Sequence, residues 1–505
     1  MSFSSTPLLV SKPQGYHSIV SPSPLAPGSH LSPPHHAPSP GSVSPSPPPT
    51  LPSALHPAAM RFFRSQNQDA SMNDQDEPSS PQVLFDYSRQ FIQELWRTSN
   101  TSLVPLQNLQ IAPKPRLLSL DIFRGLALVS MIIANYQIED SAFSLLLHAD
   151  WIGLTLADLV FPSFIFICGV AVPLSFYIRE HDSKTIFVRS LWLFLIGMLF
   201  NAVPSLISQS WVSYRPLGVL QRIAIVYLVC ALTYKHLSWF AFRWIVPVVL
   251  IVSWLYLSLL LPLPECNPTQ SLQIVLDLDL EHRWAPPECT SQSFIDRLVF
   301  GQSHLYGGHV FDNEGILSTL MAILTGWIGV LVGVGLLRCL HVDYTDGRWR
   351  IKVMQKMVAS GLIFIIVGTI LNQLGWIPVS KNLWSLSFVL VSGGISLMLL
   401  TLIYVIADYS DFKYGSTPFV ALGRNSLLIY ICSECVAWTT TTITLSDGPD
   451  SESRATLWLW LFRNLGFATH LPAGWNSLIW SLAWCLLVFI PFAIYMKHKK
   501  YFVRL

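Results

Sequence analysis

The sequence predicts an all-α polytopic transmembrane helix bundle of about ten spans with both termini cytoplasmic. Charged residues make up only 12% of the 505 residues, against ~25% in ordinary soluble chains. The apolar residues gather in blocks of about 20, the length that crosses ~30 Å of hydrocarbon at ~1.5 Å per residue. Lys and Arg concentrate in the loops of one side. With a net charge of +2 and basic residues scattered without aromatic interleaving, the chain carries no footprint for nucleic acid. Its eight cysteines form neither a disulfide framework nor a metal-ligand spacing, so no metal is expected.

Residues 1–60 hold 15 of the 35 prolines and 14 serines, too little apolar area to offset chain entropy. Residues 1–68 are therefore read as a disordered Pro/Ser-rich cytoplasmic tail without a cleavable signal peptide, and 69–116 as a polar linker. The linker has one short amphipathic piece at 84–96. Leu8-Leu9 and Tyr16-His17-Ser18-Ile19 have the form of sorting signals, a form that also arises by chance in such tails. The transmembrane domain is 117–505. Its apolar blocks lie at 119–137, 152–178, 187–207, 217–235, 240–262, 315–337, 357–373, 385–407, 418–438 and 476–496. With the N-terminus cytoplasmic, seventeen Lys and Arg flank spans on that side, from Lys114 to Arg504. The other side holds Arg215, Arg283, Arg297, Lys381, Arg454 and Arg463 in longer loops, as the positive-inside rule requires. The long loops 263–314 and 439–475 then face the lumen or exterior. Cys266 and Cys289, both in the first, can pair in an oxidising lumen, with free thiols as the alternative. Asn100-Thr101-Ser102 falls on the cytoplasmic side and is expected to stay unglycosylated. Thr456 to Leu461 is too short to cross and is expected at the interface.

Ionisable groups at membrane depth are costly, so each is a functional candidate or has a partner. On the first span, at ~100° per residue, Asp121, Arg124, Gly125, Leu128 and Asn135 share one stripe, and its ends lie ~21 Å apart. Two readings stand. Asp121 and Arg124 neutralise each other at i, i+3 while Asn135 bonds a neighbouring helix, or the stripe lines a polar path through the bundle. His148 falls at the luminal mouth before the second span, where an imidazole can accept a proton near neutral pH or attack an acyl group, or simply bond water at the interface. On a continuous helix Asp158 would lie ~15 Å below His148 and ~80° away, which excludes contact and leaves Arg222 or Arg124 as its partner. Arg424, Asn425 and Glu434 add polar groups to the ninth span. No G-x-S-x-G, P-loop or G-x-G-x-x-G occurs, and the glycines of 300–400 suit close helix packing.

The run Ser119-Leu120-Asp121-Ile122-Phe123-Arg124-Gly125-Leu126, then Asn135-Tyr136, then His148-Ala149-Asp150-Trp151-Ile152-Gly153-Leu154-Thr155-Leu156-Ala157-Asp158-Leu159-Val160-Phe161-Pro162, closely resembles the opening of the heparan-α-glucosaminide N-acetyltransferase family. The likeness continues in order through Gly218-Val219-Leu220-Gln221-Arg222, Asp312-Asn313-Glu314-Gly315, Lys381-Asn382-Leu383-Trp384-Ser385 and Ala421-Leu422-Gly423-Arg424-Asn425-Ser426. The resemblance implies an integral-membrane, acyl-CoA-dependent N-acetyltransferase that moves acetyl from cytosolic acetyl-CoA to a terminal glucosamine-like amino group on the luminal side. It implies His148 as the catalytic histidine, with Asn135 and Asp158 beside it. Asp121, Arg124, Arg222, Arg424 and Asn425 are then the candidates for holding the acetyl-CoA co-substrate. Its partners are an amino-sugar or glycan acceptor and the lipid bilayer, with a homo-oligomer left open. A lysosome-like or vacuolar membrane is implied, with the plasma membrane or another endomembrane as alternatives. The Pro/Ser-rich tail stands in place of a larger luminal domain and an extra first span, which shifts acceptor recognition toward loop 263–314. Another amino sugar, or a hydroxyl acceptor, fits the same chemistry. A small-molecule transporter and a catalytically silent scaffold are the competing classes.

Overall fold

The computed structural model describes residues 117–138, 142–179, 181–207, 214–261, 287–306, 309–341, 347–446, 454–465 and 471–502. The expected tail and linker, the 84–96 piece, Asn100 and Cys266 lie outside the described residues. Cys289 is disulfide-bonded.

The described chain is a helix bundle: α1 (Leu118–Asn135), α2 (Val160–Ile178), α3 (Ser183–Ile207), α4 (Val219–His236), α5 (Val246–Leu260), the short α6 (Ser291–Phe300), α7 (Ile316–His341), α8 (Gly347–Gln373) and α9 (Leu386–Tyr404). Then come α10 (Thr417–Arg424), α11 (Ser426–Thr442), a two-stranded antiparallel ribbon of β1 (Thr444–Ser446) and β2 (Arg454–Thr456), α12 (Leu457–Asn464), α13 (Ala473–Trp484) and α14 (Ile490–His498). Eight described helices are long and apolar enough to cross a membrane, and nine if the bent pair α10–α11 is one span. The remaining expected span, 217–235, is the helix α4. Gln221, Arg222 and Lys235 leave it less apolar than the others. The stretch expected at the interface is the eight-residue α12, led in by β2.

Two features depart from simple spans. The second span begins at Ala157, five residues later than its apolar block, because 147–156 is taken up by loop structure. The ninth is broken: α10 and α11 meet at 86° around Asn425, a kind of interruption tolerated at membrane depth where protein groups satisfy the freed backbone. The Asn425 amide does so at one point, donating from Nδ2 to the Tyr501 carbonyl at 3.0 Å.

Small residues set the packing. Lipid offers no hydrophobic force between helices, so close backbone approach supplies the attraction. A Cβ on Gly169 of α2 would stand 1.9 Å from the Gly326 carbonyl oxygen, and Gly329 and Gly333 extend that seam along α7 against Phe166 and Val170. A second seam crosses Gly125 of α1 with Gly423 of α10, where a Cβ on either would stand 2.0 Å from a backbone oxygen of the other helix. This seam holds the Asp121 end of α1 against the break at Asn425. The first two amides of α1 donate to the Asp408 carboxylate, Leu118 N at 3.0 Å and Ser119 N at 2.8 Å, an anion set at the positive helix end. Farther along, Tyr136 is buried among Trp458, Trp484 and Phe489 and donates its hydroxyl to the Ser433 carbonyl at 2.6 Å. The polar stripe read on α1 is buried against protein at Asp121, Gly125 and Leu128, while Asn135 at its end is exposed.

Gly169→Val is expected to cost about 3 kcal/mol or more, since only backbone movement can relieve the clash. It is read as a fall in the melting temperature of the detergent-purified protein. An unchanged melt would mean that α2 and α7 are not in contact.

Candidate active site

Asp158 is fully buried and gathers the loop that precedes it. Its Oδ2 accepts from Thr155 N at 3.1 Å, Thr155 Oγ1 at 2.9 Å and Ala149 N at 3.2 Å, and its Oδ1 pairs with His148 Nδ1 at 2.8 Å. The expectation that His148 and Asp158 lie ~15 Å apart on one helix is therefore wrong. The stretch between them is not helical. Gly153, at φ +126°, turns the chain where an L side chain rarely fits, and its N–H donates to the Val379 carbonyl at 2.8 Å. Ten residues thus close into a loop whose ends meet through the carboxylate.

The pairing fixes the imidazole. An ionised carboxylate only accepts, so the 2.8 Å contact with Asp158 assigns the proton to Nδ1, and the Nε2 lone pair faces the Lys381 side. The His148 side chain is 51% exposed while Asp158 is 0% exposed, so the ring has one face held and one face open.

Asp158's cation is neither Arg222 nor Arg124. It is Lys381, whose Nζ lies 3.4 Å from Asp158 Oδ1, 3.0 Å from His148 Nδ1 and 3.3 Å from His148 Nε2. Burial pushes the Lys381 ammonium down from its ordinary value, and the Asp158 and Glu314 carboxylates draw it back. The loop carrying it is sewn to the His148 loop: Ser380 Oγ donates to the Trp151 carbonyl at 2.7 Å, and Asn382 Nδ2 to that of Asp150 at 2.8 Å. Trp384 closes this turn at φ +48° and donates Nε1 to Thr325 Oγ1 at 3.1 Å. From the sequence, Lys381 is a luminal loop charge and the first residue of one run that carries the resemblance, with no site role assigned. Its one local signal was a lone Lys with polar neighbours between two spans.

His148 and Lys381 border a cavity of about 440 Å³, together with Asn135, Asn201, Arg215, Tyr306, Glu314 and Glu434. Asn135 Nδ2 donates to Glu434 Oε1 at 2.9 Å. Arg215 bonds Asp312, Nε to Oδ2 at 2.8 Å, and also Glu314. Burial opposes the charge on Glu314, yet Arg215 and Arg222 hold its carboxyl below the ordinary range. A second cavity of about 590 Å³ lies toward the other end of α1. It is bordered by Arg124, Arg179, Arg189, Arg424 and His181. The two share the walls Phe164, Leu220, Ile223, Ser426 and Leu427. From Arg124 to Asn135 the helix rises ~17 Å.

The structure thus brings His148 and Asn135 to one cavity, with Asp158 buried behind the histidine, and Arg124 and Arg424 to the other. Asp121 stands behind the second pair, 3.6 Å from Arg124 and 3.8 Å from Arg424. Arg222 and Asn425 border neither cavity. Arg222 bonds Thr319 Oγ1 at 3.2 Å, the Asn313 carbonyl at 2.7 Å and Ser318 Oγ, with its guanidinium over the Trp384 ring. Asn425 serves the helix break.

Beside the first cavity, Asp296 of α6 is fully buried and accepts from Ile316 N at 3.0 Å, at the start of α7. Burial raises its carboxyl to about 6 from 3.8. The folded state therefore holds this proton more tightly than the unfolded chain, so stability falls as pH rises from about 4 to about 6 and is level beyond. Asp296→Asn is expected to flatten that part of the melting-temperature profile. Asp158→Asn is expected to lower any His148-dependent reaction at least ~100-fold, since Nδ1–H loses its acceptor while the fold keeps a side chain of equal size. A kinetic assay of purified variants reads it.

The family model described as heparan-alpha-glucosaminide N-acetyltransferase, catalytic, matches residues 116–273, which include α1, the His148 loop and Asp158. The human heparan-alpha-glucosaminide N-acetyltransferase is 34% identical, over 63% of this chain and 53% of that protein. The mouse protein of the same name is also 34% identical, with the same shares. The match spans about half the length of these curated relatives. Its membrane region is thus similar to heparan-alpha-glucosaminide N-acetyltransferases.

Proposed function

We propose that this chain is a membrane-bound acetyltransferase that moves acetyl from cytosolic acetyl-CoA to an amino sugar on the luminal side. The observation that carries the reading is the pair of cavities with a shared wall, one bordered by four arginines and the other by an oriented histidine. The arginines suit the phosphates of a nucleotide thioester, and the walls Phe164, Leu220, Ile223, Ser426 and Leu427 suit its thin pantetheine arm. The loop charges read from sequence support the cytoplasmic side for the arginine cavity and the luminal side for His148. The names of the relatives support glucosamine as the acceptor type. The resemblance read from the sequence supports a lysosome-like or vacuolar membrane.

In this reading His148 Nε2 takes the proton of the acceptor amine as its nitrogen attacks the thioester carbonyl. A C–N bond forms, the C–S bond breaks, and the departing thiolate recovers the proton from the imidazolium, giving an N-acetyl product and free CoA. Asp158 holds the ring and steadies the imidazolium. Lys381 Nζ, 3.3 Å from Nε2, has the reach to donate to the carbonyl oxygen as negative charge builds there. Arg124 and Arg424 grip the donor, with Asp121 fixing both.

The test is transfer from radiolabelled acetyl-CoA to glucosamine by the detergent-purified protein. The parent is expected to transfer, and a His148→Ala variant with an unchanged melting temperature to lose activity at least ~1000-fold. Equal rates in both proteins would sink the role of His148.

A further inference from the structure

The charged groups around the His148 cavity are paired with one exception. Arg215 is matched by Asp312 and Glu314, and Lys381 by Asp158. Glu434 of α11 has no cation within salt-bridge distance among the described residues, and the hydrogen bond it accepts there comes from Asn135. A carboxyl group at membrane depth is costly to ionise without a counter-charge, so an arriving cation would stabilise its charged form.

Its surroundings narrow what that counter-charge is. Because a carboxylate accepts and does not donate, Asn135 must turn its NH₂ toward Glu434, which leaves Asn135 Oδ1 as a further acceptor. Glu434 and Asn135, both bordering the cavity, therefore offer acceptors and negative charge without a competing donor from either side chain. Trp438, at i+4 from Glu434 on the same helix face, stacks with Phe200 at a centroid distance of 4.7 Å and 15° between planes. Both aromatics border the same cavity. A carboxylate–amide pair next to an aromatic wall suits a cation carried on a ring with apolar C–H faces.

We propose that Glu434, oriented with Asn135, receives the ammonium group of the acceptor and takes its first proton, which frees the amine to attack before His148 takes the second, with Phe200 and Trp438 bordering its sugar ring. The subsite selects amines over alcohols, because a hydroxyl brings one donor and no charge to balance the carboxylate. It rests on the transferase reading of the His148 cavity and adds the determinant of acceptor class.

The experiment uses the full chain in detergent. For the parent, the melting-temperature rise with glucosamine is compared with that for glucose at equal concentration. Glucosamine is expected to give the larger shift, and equal shifts would overturn the subsite without any variant. Glu434→Gln, equal in size and neutral, is then expected to erase that preference and raise the KM for glucosamine at least tenfold while leaving the melting shift with acetyl-CoA intact. Glu434→Asp, which keeps the charge, should retain the preference. A folded Glu434→Gln with the parent's KM and preference would overturn the proposal. A parent that prefers glucosamine in binding yet transfers no acetyl group would count against the transferase reading and for the ammonium subsite.

Discussion

The Asp158 carboxylate has no water to lean on, and the geometry of the His148 end of the bundle follows from how that shortage is met. Three donors come from the backbone and side chain of its own loop, one from the histidine ten residues earlier, and the balancing charge from Lys381 across the bundle. Each partner constrains another element. The loop cannot become helix without losing the Ala149 amide, the imidazole cannot turn without losing its acceptor, and the 378–385 turn cannot drift without taking Lys381 away. Ser380 and Asn382 fasten the same two loops a second time. The redundancy keeps a half-exposed ring in one orientation.

The glycine seams do for helices what this carboxylate does for loops. Where Gly169 meets Gly326 and Gly125 meets Gly423, the approach is set by backbone atoms, which have no rotamers to relax into. Asp121, Arg124 and Arg424 inherit their spacing from the second seam, since all three lie within one turn of it. The helix break at Asn425 adds the rest by turning the chain 86° so that Arg424 and Glu434, ten residues apart, border different cavities.

Much of this was legible beforehand. Span positions follow from apolar length, and the stripe on α1 follows from helical period, because both depend on local sequence alone. His148 was marked by its place at a span mouth. The His148–Asp158 contact was not, because apolar residues at 152–156 look like membrane helix while their backbone is in fact claimed by Asp158 and Val379. Lys381 was hidden by distance: 223 residues separate it from the aspartate it balances, and no periodicity reports such a pair. Arg222 misled in the opposite way. A buried arginine reads as a ligand grip, yet its hydroxyl partner on α7, the Asn313 carbonyl just before it and the aromatic ring of the 378–385 turn account for its burial. Glu434 was visible as a polar residue in a span, but its lack of a cation is a property of its neighbours.

The wall shared by the two cavities has a meaning apart from any ligand. Phe164, Leu220, Ile223 and Leu427 are hydrocarbon side chains, and only Ser426 among the five offers a hydrogen bond. A file of water passing this point would have to surrender most of its partners, and a proton hopping along that file would have no relay. Bilayers that maintain an ion gradient tolerate no open wet path, and a protein with polar hollows at both ends is a natural short circuit. Four of the five side chains common to the two hollows are hydrocarbon.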